Sequence, residues 1–152
     1  MPALAARIAE EMKAALLGGD RFRGEVLRNL KAALLNEEVA LGKREAGLED
    51  AEVEKVLARE VKKRLESAEL YRANGRAELA EPEEQEAAVL REFLPQQLSE
   101  AELRALVQQV IDTMGEVSMQ QMGQVIGAVK AKVGNAADGA MIANIVKETL
   151  NK

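Results

Sequence analysis

The stretch DAEVEKVLAREVKKRLESAELYRAN, residues 50–74, decides the fold. Val53, Leu57, Val61, Leu65 and Ala68 recur every three to four residues, which is the period of a helix and not of a strand. Asn74-Gly75 supplies a stop signal. A helix this long must bury its stripe against a partner. The chain offers one just upstream: Asp20 caps a helix running to Leu41, with Val26, Leu27, Leu30, Leu34 and Leu41 on one face. Gly42 and Gly47 frame the connection. The two helices, each roughly 33 Å long at ~1.5 Å per residue, are expected to form a long antiparallel hairpin.

The same reading extends outward. Leu4, Ile8, Met12, Ala15 and Leu16 predict a first helix over residues 3–17, stopped by Gly18-Gly19. Pro82 suits the first turn of a fourth helix, opened by Glu81, Glu83 and Glu84 and closed at Pro95. Ser99 with Glu102 has the capping-box spacing for a fifth helix carrying Leu103, Leu106, Val107, Val110, Ile111 and Met114. Ser118 caps a sixth, with Met119, Met122, Ile126, Val129 and Val133. Asp138 caps a seventh, with Met141, Ile142, Ile145, Val146 and Leu150. The expectation is an all-α protein. An N-terminal four-helix domain, residues 1–94, holds the hairpin, and a C-terminal three-helix domain, residues 95–152, follows the break at Leu94-Pro95-Gln96-Gln97-Leu98.

Composition narrows the chemistry. The 152 residues include no histidine and no cysteine. A Ser/His/Asp triad, a Cys/His dyad and a typical zinc site are therefore excluded. No cofactor or metal is expected. Lys63 and Ser67 have the spacing of a Ser/Lys dyad, but that spacing is common by chance and no oxyanion site accompanies it. The acidic run Glu81–Glu86 reads as a helix start, since it lacks the histidine of a carboxylate-bundle metal site. No apolar run approaches the ~20 residues that span a bilayer, and the N-terminus has no signal-peptide pattern. No membrane contact is expected and cytoplasm is the expected location. Net charge is −5. Residues 1–94 carry 16 Lys/Arg against 20 Asp/Glu, and residues 95–152 carry 5 against 6. A DNA-binding protein of the strongly basic kind is excluded, and any polyanion contact must use a local patch.

Several residues sit where their neighbours do not explain them. Arg64 falls on the apolar face of its helix with Val53, Leu57, Ala68 and Tyr71, bordered by Glu60. Arg23 and Glu37 sit similarly on the preceding helix. Structural ion pairing across the hairpin is one reading of these three, and an arginine gripping an anion in a groove is the other. Lys55, Arg59, Lys62 and Lys63 lie together on the opposite face. They form either a phosphate-contacting strip or, with Glu52, Glu66 and Glu69 beside them, a salt-bridged solvated surface. Gly123 and Gly127 inside the sixth helix should each cost about 1 kcal/mol relative to alanine. Either close helix–helix approach compensates, or the backbone is kept open for a ligand or RNA. Lys130, Lys132, Lys147 and Lys152 are the only lysines in the last third and are expected at one basic end of helices six and seven.

These residues carry a resemblance. Val26-Leu27-Arg28-Asn29-Leu30-Lys31-Ala32-Ala33, Arg64-Leu65-Glu66-Ser67, Tyr71, Gly75-Arg76, Leu79 and Leu94-Pro95-Gln96-Gln97-Leu98-Ser99 resemble the GatB/YqeY family in its stand-alone, YqeY-like form. So do Met122-Gly123-Gln124-Val125-Ile126-Gly127, Ala137-Asp138-Gly139 and Val146-Lys147. The resemblance covers nearly the whole chain in order. It implies a helical N-terminal domain and a three-helix C-terminal domain similar to the tail of the B subunit of glutamine-dependent tRNA amidotransferase, a carbon-nitrogen ligase with glutamine as amido-N-donor. It further implies an association with tRNA, and the expectation built on it is a tRNA-associated accessory protein, not catalytic alone, whose C-terminal domain binds tRNA through Lys130, Lys132 and Lys147 with the Gly123/Gly127 surface. An aminoacyl-tRNA synthetase or amidotransferase is the implied protein partner. Where relatives often carry Lys and Arg, this chain has Gln124 and Ala136, which implies weaker or shifted RNA contact. The other reading is a helical adaptor that docks its hairpin on such an enzyme.

Overall fold

A computed structural model describes residues 3–151; Lys152 lies outside the described residues. Seven α-helices and no strand appear among them: α1 (Ala3–Leu17), α2 (Arg21–Ala40), α3 (Asp50–Ala73), α4 (Ala77–Arg91), α5 (Glu100–Met114), α6 (Met122–Val133) and α7 (Gly139–Leu150). The chain divides into two compact units, residues 1–94 and 95–152.

In the first unit the caps act where the sequence places them. Asp20 accepts a hydrogen bond from the Arg23 N–H at 3.1 Å, and the Glu49 N–H donates to Glu52 Oε1 at 2.8 Å. Ile8, Val26, Leu27, Leu30, Val53, Val56, Leu57, Ala87, Leu90 and Phe93 make one aliphatic core with a single aromatic in it.

Two expectations for this unit need correction. First, α4 begins at Ala77, so Pro82 lies inside the helix and not in its first turn. Gly75, with φ at +71°, closes the α3–α4 turn at once, and the Leu79 and Ala80 N–H groups both donate to the Arg76 carbonyl. Ala80 is then completely buried, and this burial holds the early turn helical despite the proline. Second, the α2–α3 hairpin is not the main pairing: α3 packs most extensively along α4, and α2 along α1. Small buried residues explain the choice, because they set how closely two helices approach. Ala68 lies on α3, and Ala80 and Ala87 on α4. Gly24 of α2 is buried where an added Cβ would collide with the Leu16 side chain of α1.

The second unit has its own core of Leu103, Val107, Val110, Val125, Val129, Ile142, Ile145 and Val146. Ser99 accepts from the Glu102 N–H at 3.1 Å and starts α5. Ser118 precedes a one-turn 3-10 helix at Met119–Gln121, so α6 itself starts at Met122.

Proline inside a helix removes one ladder bond, here the one to the Glu78 carbonyl. Pro82 is exposed, so its ring contributes little packing. Pro82→Ala should therefore stabilise the first unit by about 1–3 kcal/mol, read by urea unfolding.

Candidate nucleic-acid interface

The outer face of α6 is built from what it lacks. Gly123, Gly127 and Lys130 follow one another at i, i+4 and i+7 and all are exposed. An added Cβ at Gly123 or Gly127 would meet nothing within 4 Å, and neither glycine has a positive φ. Close helix–helix approach, one of the two readings the sequence allowed, is therefore overturned. Among the described residues, no packing and no backbone conformation requires these glycines. They leave a strip of bare helical backbone on the surface.

The lysines around the strip are unneutralised. Among the described residues, Lys130, Lys132 and Lys147 stand in no ion pair and are exposed. Lys130 reaches across to the start of α7: a Cβ on Gly139 would stand 3.4 Å from its Nζ. Its charge thus coincides with the positive end of the α7 dipole, which favours an anion there. Asp138, the α7 cap, partly offsets this and accepts from the Ala140 N–H at a long 3.4 Å. Lys147 lies eight residues along α7 from Gly139, about 12 Å of helix rise. The three lysines therefore spread along α6 and α7 and do not gather at one end. Lys152, expected with them, is outside the described residues.

The segment before α5 braces this face from behind. The Leu98 N–H donates to the Ala136 carbonyl at 2.8 Å, and Gln97 Nε2 to the Asn135 carbonyl at 3.0 Å. Both acceptors lie in the turn between α6 and α7. The Pro95–Ser99 motif thus fixes the turn that sets Lys130 against Gly139. A separate open cleft of about 640 Å³ lies at the ends of α5 and α7, lined by Ile111, Gly115, Glu116 and Leu150. Its glutamines are already engaged: Gln108 Nε2 donates to Asp112 and Gln121 Oε1 accepts from the Ser118 N–H.

In the first unit the three charged residues of the apolar faces are ion-paired. The Arg64 side chain is 12% exposed; its Nη1 donates to the Glu60 carbonyl and to Glu60 Oε1, each at 3.1 Å, and its Nε stands 3.8 Å from Glu86 Oε2. Nε is buried without a hydrogen-bond partner. Burial raises the Glu86 carboxyl above the usual 4.5; Arg64 opposes the shift and Glu83 reinforces it. Arg23 does not pair with Glu37. It bonds Glu11 and Glu92, both at 2.7 Å, and its guanidinium carbon lies 5.8 Å from the Phe93 ring centre, with that of Arg7 at 4.7 Å. Burial pulls the Glu11 carboxyl upward, but the hydrogen bonds from Arg7 and Arg23 outweigh it and leave the group below the usual range. Glu37 pairs with Arg59 of α3 at 2.9 Å. The Arg7–Glu11–Arg23–Glu92 chain of ion pairs, whose two arginines lie over Phe93, escapes sequence reasoning, whose only signal for it is the i, i+4 spacing of Arg7 and Glu11.

The α3 strip also differs from a salt-bridged surface. Arg59 turns to Glu37, and Glu52 is held by Lys43 at 2.8 Å. Lys55, Lys62 and Lys63 are exposed and, among the described residues, in no ion pair.

The chain belongs to the YqeY-like family: the family model described as Yqey-like protein matches residues 5–150. No curated protein matches it. No described helix is long and apolar enough to cross a membrane.

Alanine at Gly127 meets open space, so Gly127→Ala should stabilise the chain by about 0.5–1 kcal/mol in thermal or urea unfolding. Glu86 has a folded pKa above its unfolded one, so the native state binds more protons and wild-type stability falls as pH rises through the window above 4.5. Glu86→Gln is free of that decline. Its stability relative to wild type should increase from pH 4.5 to pH 7, measured by urea unfolding at both.

Proposed function

We propose that the protein is a tRNA-associated accessory protein whose C-terminal unit grips RNA through backbone and shape. The observation that carries this is the α6 strip. Two glycines lie exposed with no intramolecular reason, in line with Lys130. A helix face without side chains lets a phosphate backbone approach closely, and flanking lysines supply the charge. Resemblance to the tail of the amidotransferase B subunit points to tRNA as the RNA. On this reading the protein acts by binding, alongside an amidotransferase or synthetase.

Adaptor binding is the second reading. It is favoured by Leu35, Val39 and Leu41, which are 43%, 60% and 47% exposed on and just after α2.

Fluorescence anisotropy with labelled tRNA, at low and physiological salt, tests the proposal. Binding that weakens steeply with salt, and weakens further in Lys130→Glu/Lys147→Glu, is expected. Absence of binding at low ionic strength, or binding indifferent to salt, overturns it. Retention of a synthetase or amidotransferase after nuclease treatment would then favour the adaptor.

A further inference from the structure

We infer that the solvent face of α3 is a second RNA-backbone contact, carried by Lys55, Lys62 and Lys63 with Arg59 between them. The inference rests on the RNA reading above and extends it to the other unit of the chain.

Lys55, Arg59 and Lys62 follow at i, i+4 and i+7, and Lys63 adjoins Arg59 at i+4, so four cations form one ridge. From Lys55 to Lys63 the ridge is about 12 Å long. Two of the carboxylates that could neutralise it are engaged elsewhere. Glu52 is bonded to Lys43 and only feels Lys55 at longer range, and Glu60 is taken by Arg64. Glu37 meets Arg59 alone, and the Arg59 side chain stays 60% exposed. Glu66 closes the ridge at its C-terminal end, in no ion pair among the described residues, and Glu69 lies beyond it. Meanwhile α4, with Glu78, Glu81, Glu83, Glu84 and Glu86, packs along α3 and draws Arg64 and Arg72 to itself. A unit with a net negative charge thus presents three unpaired lysines and a half-neutralised arginine on one helix face.

The occupant that fits is a phosphate backbone. A protein partner of the usual kind needs apolar or aromatic anchors at the centre of its contact. Up to Lys63 this ridge has only Ala51 and Ala58 beside its cations; Leu70, the exposed large apolar side chain on the same face of α3, lies seven residues beyond Lys63, and Val39 belongs to α2. Because both units belong to one chain, engagement of one raises the effective concentration of RNA at the other.

The test is the salt dependence of tRNA binding by the full chain. Removing one lysine–phosphate interaction should lower the slope of log affinity against log salt by about one. Lys55→Glu/Lys62→Glu/Lys63→Glu is therefore expected to lower it by about two to three, independently of Lys130→Glu/Lys147→Glu. Lys13→Glu/Arg21→Glu/Lys31→Glu, three exposed changes of the same total charge off the ridge, is expected to leave the slope near wild type. Circular dichroism confirms that each variant is folded. If wild type binds with a salt slope that the ridge variant and the off-ridge variant change equally or not at all, the inference falls and the RNA reading stands. If wild type does not bind tRNA at all, both fall.

Discussion

Everything in this structure depends on burying aliphatic side chains without aromatic bulk. The chain has two phenylalanines, one tyrosine and no tryptophan, and only Phe93 enters a core completely. Leucine, valine, isoleucine and alanine must therefore reach native packing density through closely approaching helices. That requirement selects the helix pairs: α3 meets α4 and α1 meets α2 where alanine or glycine permits it. It also explains why each unit carries a core of its own, since short aliphatic side chains fill the space between neighbouring helices and little more.

Charge is arranged around this packing. Among the described residues no charged side chain is fully buried, yet several stand at the core's rim. Arg23 and Arg7 flank the Phe93 ring and are tied to Glu11 and Glu92. Arg64 is the most enclosed cation of the ion pairs and has an imperfect set of partners, with Nε left unbonded beside a carboxylate whose protonation is favoured by burial. Such a group costs desolvation energy on one side of the α3–α4 pair. Drawing arginines toward α4 has a consequence on the other face of α3, where lysines are left unpaired.

The helices and their caps were legible in the sequence because their signals are local. Hydrophobic period, Asp20, Ser99, Asp138 and the glycine stops name most of them within a residue or two; the exceptions are the starts of α4, at Ala77 ahead of the acidic run, and of α6, at Met122 beyond the turn that Ser118 caps. Which helices pair was not legible, because it is decided by the volume of residues such as Gly24, Ala80 and Ala87 in three dimensions. The same limit applied to Pro82, whose place inside α4 follows from burial of Ala80 two residues earlier. At the candidate interface, Gly123 and Gly127 stood out as costly in a helix, and only the structure separates a tight packing contact from an open surface. Lys130 was visible as a lysine; its approach to the start of α7 depends on the turn held by Gln97 and Leu98.

Two exposed helix glycines that serve no fold mark a surface kept for another molecule. The most direct measurement of that surface is an amide-resolved NMR titration of the labelled full chain with tRNA. The Gly123, Gly127 and Lys130 amides are expected to move first and furthest in the C-terminal unit. Perturbation confined to α2 around Leu35 and Val39, or none at saturating tRNA, would contradict it.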